Sequence, residues 1–166
     1  IVFSSFEKTL GSEAPYGYLL SRRMGRELQR QFLLRSFRLS SIRQRAIARL
    51  YHSGRIDQHL VALREHLRAQ ALQMSQRLTQ HLGGQVTYQM PRAGATFWLA
   101  STRAVDMRKV FQQMLVRQVV IAPGELFSVS GLHHQHLRLS HTFPGQPNLD
   151  IALIALSEAL RQAKTG

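Results

Sequence analysis

The spacing of apolar residues changes character several times along the chain. Residues 2–6, "VFSSF", form a short run that reads as a buried strand. Residues 12–18, which contain Pro15 and Gly17, read as a turn. Residues 22–50 follow a helical pattern interrupted near Ser40 and Ser41, and residues 51–54 break it. A second helix is expected to begin near Asp57, a residue suited to an N-cap. Its stripe, Leu60, Leu63, Leu67, Ala71, Met74, Leu78 and Leu82, recurs every three or four positions and marks one buried helix face. Gly83 and Gly84 stop it. About 26 residues at ~1.5 Å each give a rod of roughly 39 Å, long enough to bridge two bodies.

Beyond Gly84 the texture alternates. Residues 85–90 and 96–100 read as strands joined by the "PRAG" turn. Met107, Val110, Phe111, Met114 and Leu115 mark an amphipathic helix, and residues 118–122 read as a strand cut by Pro123 and Gly124. Residues 137–140 form a further strand, and Leu149, Ala152, Leu153, Leu156 and Leu160 a last helix. The order β-β-α-β-β-α predicts an α+β fold, with helices on one face of a small, mainly antiparallel sheet.

Composition narrows the classes. The 166 residues are 44% apolar, which predicts a globular chain with a core. Cysteine is absent, so disulfides and thiolate chemistry are excluded and a cytoplasmic setting is expected. No apolar run approaches the ~20 residues of a membrane span. The first residues lack the basic start and long apolar run of a signal peptide, and the chain begins like a strand entered midway, so a piece of a longer protein is expected. The net charge is +13. From Arg22 to Arg77 there are 13 arginines against Glu27, Asp57 and Glu65. Such a block attracts nucleic acid or other polyanions non-specifically. No basic-aromatic nucleic-acid motif accompanies it, so a solvated helix face or a protein interface is the preferred reading.

Candidate chemistry begins at "SSFEKTLGSEAPYGYLL", residues 4–20. Lys8 is one of three lysines beside nineteen arginines, and Ser5 stands three residues before it. A held, partly deprotonated lysine forms a Schiff base with an aldehyde cofactor, and a nearby hydroxyl contributes to a phosphate cup. Ser-x-x-Lys alone is weak. Three further stretches, "PRAGATFWL" at 91–99, "VIAPGELFS" at 120–128 and "LRLSHTF" at 137–143, follow in order. With the first they resemble the C-terminal part of fold-type I, pyridoxal-phosphate-dependent aminotransferases, and most of all the aminotransferase-like half of MocR-type regulators of the GntR family. "SIRQRAIARLYHSGRIDQHL" at 41–60 is similar to that subgroup's Q-x-A-x-A…G-x-x-x-x-H-L connecting helices. The resemblance runs over residues 1–163.

The resemblance implies an organisation and a site. Residues 1–50 would be a remnant of the aminotransferase large domain, 51–84 the connecting helix and 85–166 the C-terminal small domain. Lys8 would be the lysine that forms the internal aldimine with pyridoxal 5'-phosphate, Ser5 a phosphate ligand and Arg138 the clamp on a substrate α-carboxylate, a task that suits a rigid guanidinium fork. From the residues alone, half of an ion pair at a strand end is the preferred reading of Arg138; with the motifs in register the carboxylate clamp is preferred. Implied partners are the large domain and winged helix-turn-helix of a parent chain, a second copy in a homodimer, and an amino acid or amine effector.

Departures from the family pattern S-F-S-K-T-L-x-P-G-L-R-x-G-Y bear on the cofactor. Glu7 replaces the second Ser, and at ~4 Å with an effective dielectric of ~20 it would repel a phosphate charge by up to about 4 kcal/mol. Pro15 stands where the phosphate-binding Arg is expected and cannot donate, and Glu13 adds another negative charge. Ala93 replaces the first Gly of the "P-x-G-G" turn. These changes predict weak or no cofactor binding and no transamination. His133, His134, His136 and His141 have no Cys or carboxylate among them, so a loop is preferred over a metal site. Phe97 and Trp98 alternate along a strand, one toward the core and one toward a cleft. Residues 1–18, deprived of the strands that flank them in the family, are expected to be mobile or to pair with a second chain, while the part from Gln85 onward closes its own core.

Overall fold

A computed structural model describes residues 1–11, 16–36, 39–142 and 148–163. The chain divides into two units, Ile1–Leu63 and Arg64–Gly166.

In the first unit β1 (Val2–Ser5) pairs antiparallel with β2 (Gly17–Leu20), from Val2 opposite Leu20 to Ser5 opposite Gly17. A strand is present at Val2–Ser5, but it is exposed and not buried, because its partner is one strand of the same chain and no further layer covers it among the described residues. β2 falls where a turn is expected. Its first residue explains this: a Cβ on Gly17 would lie 2.6 Å from the Ser4 carbonyl oxygen, so only glycine lets the strands close. Ser12 and Pro15, the rest of the expected turn, lie outside the described residues. The short α1 (Glu7–Leu10) connects the strands. α2 (Gly25–Leu34) and α3 (Ser41–His52) replace the single interrupted helix expected from Arg22 onward. The break opens before Ser40, because the backbone at Ser36 turns left-handed with φ 59°.

α4 (Arg55–Leu82) starts two residues earlier than expected. Gly54, at φ 70°, makes the left-handed step out of α3, so Asp57 sits inside the first turn, where its carboxylate faces the positive helix end. Ala71, Met74, Leu78 and Leu82 of the stripe are buried, while Leu60, Leu63 and Leu67 are half-buried.

The second unit is built on a four-stranded antiparallel sheet in the order β3 (Val86–Tyr88), β4 (Thr96–Ser101), β6 (His136–Ser140) and β5 (Ala122–Pro123). α5 (Met107–Val116) and α6 (Leu149–Gln162) supply Val110, Met114, Leu153, Leu156 and Leu160 to one core with Phe97, Leu99, Leu137 and the end of α4. Asp106 caps α5 by accepting from the N–H groups of Arg108 and Lys109. The strand expected at 118–122 shrinks to β5. Gln118 adopts φ 60°, and the N–H groups of Arg117, Gln118 and Val119 return to carbonyls of Met114 and Leu115, so these residues close the helix instead of extending a ladder. Pro123 lacks an N–H and accordingly sits on an edge strand.

Candidate functional site

Ser5 and Lys8 belong to the first unit. The Ser5 hydroxyl accepts from the Glu7 N–H at 3.1 Å and donates to the Tyr16 carbonyl at 3.4 Å. Phe6 N–H donates to the same carbonyl at 2.7 Å, which ties the start of α1 to the foot of β2. The Phe6 ring packs against Tyr18 and Tyr51 at 5.3 and 5.9 Å. The Lys8 side chain is 88% exposed, and the carboxylate beside it is Glu7 at 4.0 Å. His59, the histidine of the H-L pair, donates from Nε2 to the Thr9 carbonyl at 2.7 Å and so ties α4 to the residue after Lys8. Sequence reading singled out that histidine without finding its task, because the contact spans fifty residues.

This arrangement does not fit a phosphorylated cofactor. The lysine is solvated, its near charge is a carboxylate, and the one hydroxyl of the expected cup is engaged with its own backbone. Pro15 and Glu13 lie outside the described residues.

Arg138 belongs to the second unit, on β6 at the middle of the sheet. Leu137 and Leu139 point to the core, so Arg138 and His136 share the opposite face. The partners across from Arg138 are Trp98 on β4 and Ala122 on β5. The small alanine leaves the guanidinium free to lie over the Phe127 ring, 4.7 Å from its centroid. Among the described residues Arg138 forms no ion pair, so the strand-end salt bridge does not occur.

Four rings gather beside it. Trp98 stacks on His136 at 5.4 Å and 24°, and meets His133 and Phe127 edge-on at 5.4 and 5.6 Å. Burial holds His136 below the ordinary histidine pKa, and the neighbouring His133 adds to this. The alternation of Phe97 and Trp98 leaves open which of the two faces the core; Phe97 is buried there and Trp98 is the outward one. His133 and His136 stand in the histidine run and Phe127 in the "VIAPGELFS" stretch, but neither signal sets them beside Trp98.

The "APGELF" stretch positions Phe127. It forms a 3-10 turn, Gly124–Phe127, in which a Cβ on Gly124 would lie 2.5 Å from the His133 carbonyl oxygen and 2.8 Å from the His136 Cβ. Glycine there lets the turn press against the loop that carries the histidines. Glu125 locks the turn to α5 through Arg108 at 2.8 Å and meets His134 Nδ1 at 3.5 Å. The hydrogen bond from Arg108, partly opposed by burial, holds the Glu125 carboxyl below its ordinary pKa. No three His, Asp or Glu side chains among the described residues are grouped to hold a metal ion.

Solved structures decide the fold. LysN, the α-aminoadipate aminotransferase of Thermus thermophilus, crystallised with N-(5'-phosphopyridoxyl)-L-leucine, superposes with a TM-score of 0.79 at 21% identity, over 97% of this chain and 41% of that one. An archaeal alanine:glyoxylate aminotransferase superposes with a TM-score of 0.76 at 19% identity, over 95% of this chain and 40% of that one. The fold is that of an aminotransferase.

No family model matches the chain. Sequence relatives are of another kind. The uncharacterized HTH-type transcriptional regulator YjiR of Escherichia coli (strain K12) is 23% identical over 98% of this chain. YdcR of the same organism is 29% identical over 75%, and YisV of Bacillus subtilis (strain 168) 24% identical over 74%. Both are also described as uncharacterized HTH-type transcriptional regulators. The chain spans 25%, 27% and 35% of the length of YisV, YdcR and YjiR respectively. This aminotransferase-like chain therefore resembles enzymes in shape and regulators in sequence. No helix among its described residues is long and apolar enough to cross a membrane.

Proposed function

We propose that the chain is the effector-binding, aminotransferase-like part of a cytoplasmic MocR-type regulator of the GntR family, and that it does not catalyse transamination as it stands. The carrying observation is the coincidence, over nearly the same residues, of an aminotransferase fold with HTH-regulator relatives. In this reading Lys8 and Ser5 occupy the positions of the cofactor lysine and a phosphate ligand, with pyridoxal 5'-phosphate bound weakly or not at all. Arg138 is the carboxylate-binding group for an amino acid effector, and its guanidinium, which lies over Phe127 and has no ion-pair partner among the described residues, supports that role. The parent regulator supplies a winged helix-turn-helix and the rest of the large domain, and works as a homodimer.

Visible spectroscopy tests the reading. Pyridoxal 5'-phosphate added at micromolar concentration gives no aldehyde–lysine absorption band that depends on Lys8, and no amino-group transfer is detected. A specific band that disappears in Lys8→Ala overturns the proposed loss of cofactor binding.

A second reading has one observation in its favour. α2 and α3 expose Arg26, Arg30, Arg43, Arg45 and Arg49, and among them only Arg30 meets a carboxylate in the described residues, Glu27 at 4.0 Å. Polyanion binding by this surface is non-specific and falls steeply with salt. Sequence-selective DNA binding that survives raised salt would displace the effector-binding reading.

A further inference from the structure

The arginines of the second unit fall into two groups. Arg77 meets Asp150 at 3.9 Å, Arg108 meets Glu125 at 2.8 Å and Arg117 meets Glu158 at 3.2 Å. Arg64, Arg68 and Arg92 have no ion-pair partner among the described residues. All three line one cleft of about 690 Å³, and no Asp or Glu is among its described lining residues. Arg64 and Arg68 stand four residues apart on one side of α4, a spacing at which like charges oppose each other. Glu65 sits about 100° further round the helix from Arg64 and forms no ion pair among the described residues.

Arg92 reaches the cleft from the "PRAG" turn, at the position that the P-x-G-G pattern leaves open. Gly94, at φ 82°, makes the left-handed step from this turn toward β4. The cleft is otherwise apolar: Ala71 is buried, Leu67 and Pro91 are half-buried, and Met90 and Leu72 are exposed. Its volume lies within the range of small-molecule sites, which are mostly apolar with a few placed polar groups. His141 also borders it, but both ring nitrogens are buried, so the guanidiniums are the polar groups open to a ligand. Arg64, Arg68 and Arg92 are exposed, and an exposed arginine stem rotates freely enough to bring its head onto an anion without moving the backbone. Three guanidiniums exceed what one carboxylate can satisfy. A phosphate monoester carries close to two negative charges at neutral pH and three acceptor oxygens, and guanidinium forks bind it in pairs of hydrogen bonds.

We propose that this cleft binds a small organic phosphate monoester, with the phosphate on Arg64, Arg68 and Arg92 and an apolar body against Leu67, Ala71 and Met90. Arg138, Ser5 and Lys8 are not among its lining residues, and the proposal does not depend on the regulator reading.

The test is a titration of the full chain at fixed ionic strength with phenyl phosphate, inorganic phosphate, phenol and benzoate, followed by calorimetry and by the arginine Nε–Hε NMR signals. Phenyl phosphate is expected to bind about tenfold more tightly than inorganic phosphate, from burial of its ring, and more tightly than phenol and benzoate. Arg68→Gln and Arg92→Gln should each weaken it by about tenfold or more, the loss of a charge-assisted hydrogen bond. Leu72→Gln, at an exposed position of the apolar lining, should narrow the gap between phenyl phosphate and inorganic phosphate. Arg103→Gln removes the same charge beyond the far end of β4, roughly 20 Å along the strand, and should leave affinity within about twofold. All four substitutions fall on exposed residues, so the fold is expected to persist. Equal binding of phenyl phosphate and inorganic phosphate overturns the proposal, as does the absence of saturable binding. So does a loss from Arg103→Gln as large as that from Arg68→Gln, which would reduce the effect to attraction by the net charge of +13. Benzoate or phenol binding as tightly as phenyl phosphate would overturn the choice of a phosphate.

Discussion

The two units differ in what their helices bury. In the second, α5 buries Met107, Val110 and Met114, and α6 buries Leu153, Leu156, Ser157, Ala159 and Leu160. In the first, α2 and α3 bury none of their residues, and Ile56 is the one buried side chain among the described residues. The apolar residues of the first unit are still patterned: Val2, Phe3, Leu20, Leu33, Leu34 and Ile42 are all exposed. A helical or strand period prepares a face for burial, but the burial itself requires a second surface. The difference also separates the candidate residues. Arg138 stands on a strand backed by a closed core, whereas Lys8 stands on a four-residue helix with no buried residue. A site that must hold a reactive amine within a fraction of an ångström needs the first kind of support.

The largest effect that would break this comparison is on stability. Phe97 is fully buried between the sheet and the helices, and Phe97→Ala is expected to cost about 3–5 kcal/mol. Phe3 is 80% exposed, and Phe3→Ala is expected to change stability by less than about 0.5 kcal/mol. Denaturant unfolding gives both values, and hydrogen exchange assigns them: slow amides in β4 and β6, fast ones in β1 and β2. Comparable losses from the two substitutions would show that the first unit has a core of its own in solution.

The parts legible in the sequence are those governed by local period. The α4 stripe, the helices at 107–116 and 149–162 and the strands at 96–101 and 136–140 all follow from it. Misreadings occur where one residue's backbone answers to a distant partner. Gly17 looks like a turn residue, yet its lack of a side chain serves the approach to Ser4. Gln118 looks like the start of a strand, yet it takes a left-handed conformation to close α5. The same holds for the site. Arg138 is found by its motif, but Phe127, His133 and His136 become its neighbours only when the 3-10 turn at Gly124 meets the histidine loop. That meeting depends on contacts no sequence window contains.

An intermediate effect concerns pH. His136 and His141 both have folded-state pKa values held below the ordinary 6.5, in each case chiefly by burial. The unfolded chain then binds more protons than the folded one as pH falls below about 6.5. The stability from keeping the rings neutral is complete above that value and is lost as the pH drops from it toward the lower folded pKa values. Both rings lie in the second unit, so its unfolding midpoint is expected to fall in mildly acidic buffer. His141→Phe should flatten that dependence without removing it, since His136 remains. An unchanged slope in the variant would mean that the His141 ring is solvated.

The smallest effect sharpens the contrast at the candidate residues themselves. Lys8 projects into solvent with Glu7 at 4.0 Å, a separation at which an exposed pair contributes little. Lys8→Ala should therefore leave stability unchanged within about 0.5 kcal/mol. Arg138 is also exposed, but its guanidinium lies over Phe127, and a cation–π contact at an exposed site contributes about 0.5–1 kcal/mol. Arg138→Ala should lose that amount, and Arg138→Lys part of it, because an ammonium keeps the charge but not the planar stacking. A double-mutant cycle with Phe127→Ala isolates the contact: the cost of Arg138→Ala should vanish once the ring is gone. The outcome that breaks the comparison is a Lys8→Ala cost as large as that of Arg138→Ala. It would mean that the lysine is held in solution by contacts the first unit does not display, and the site around it would be better formed than its surroundings indicate.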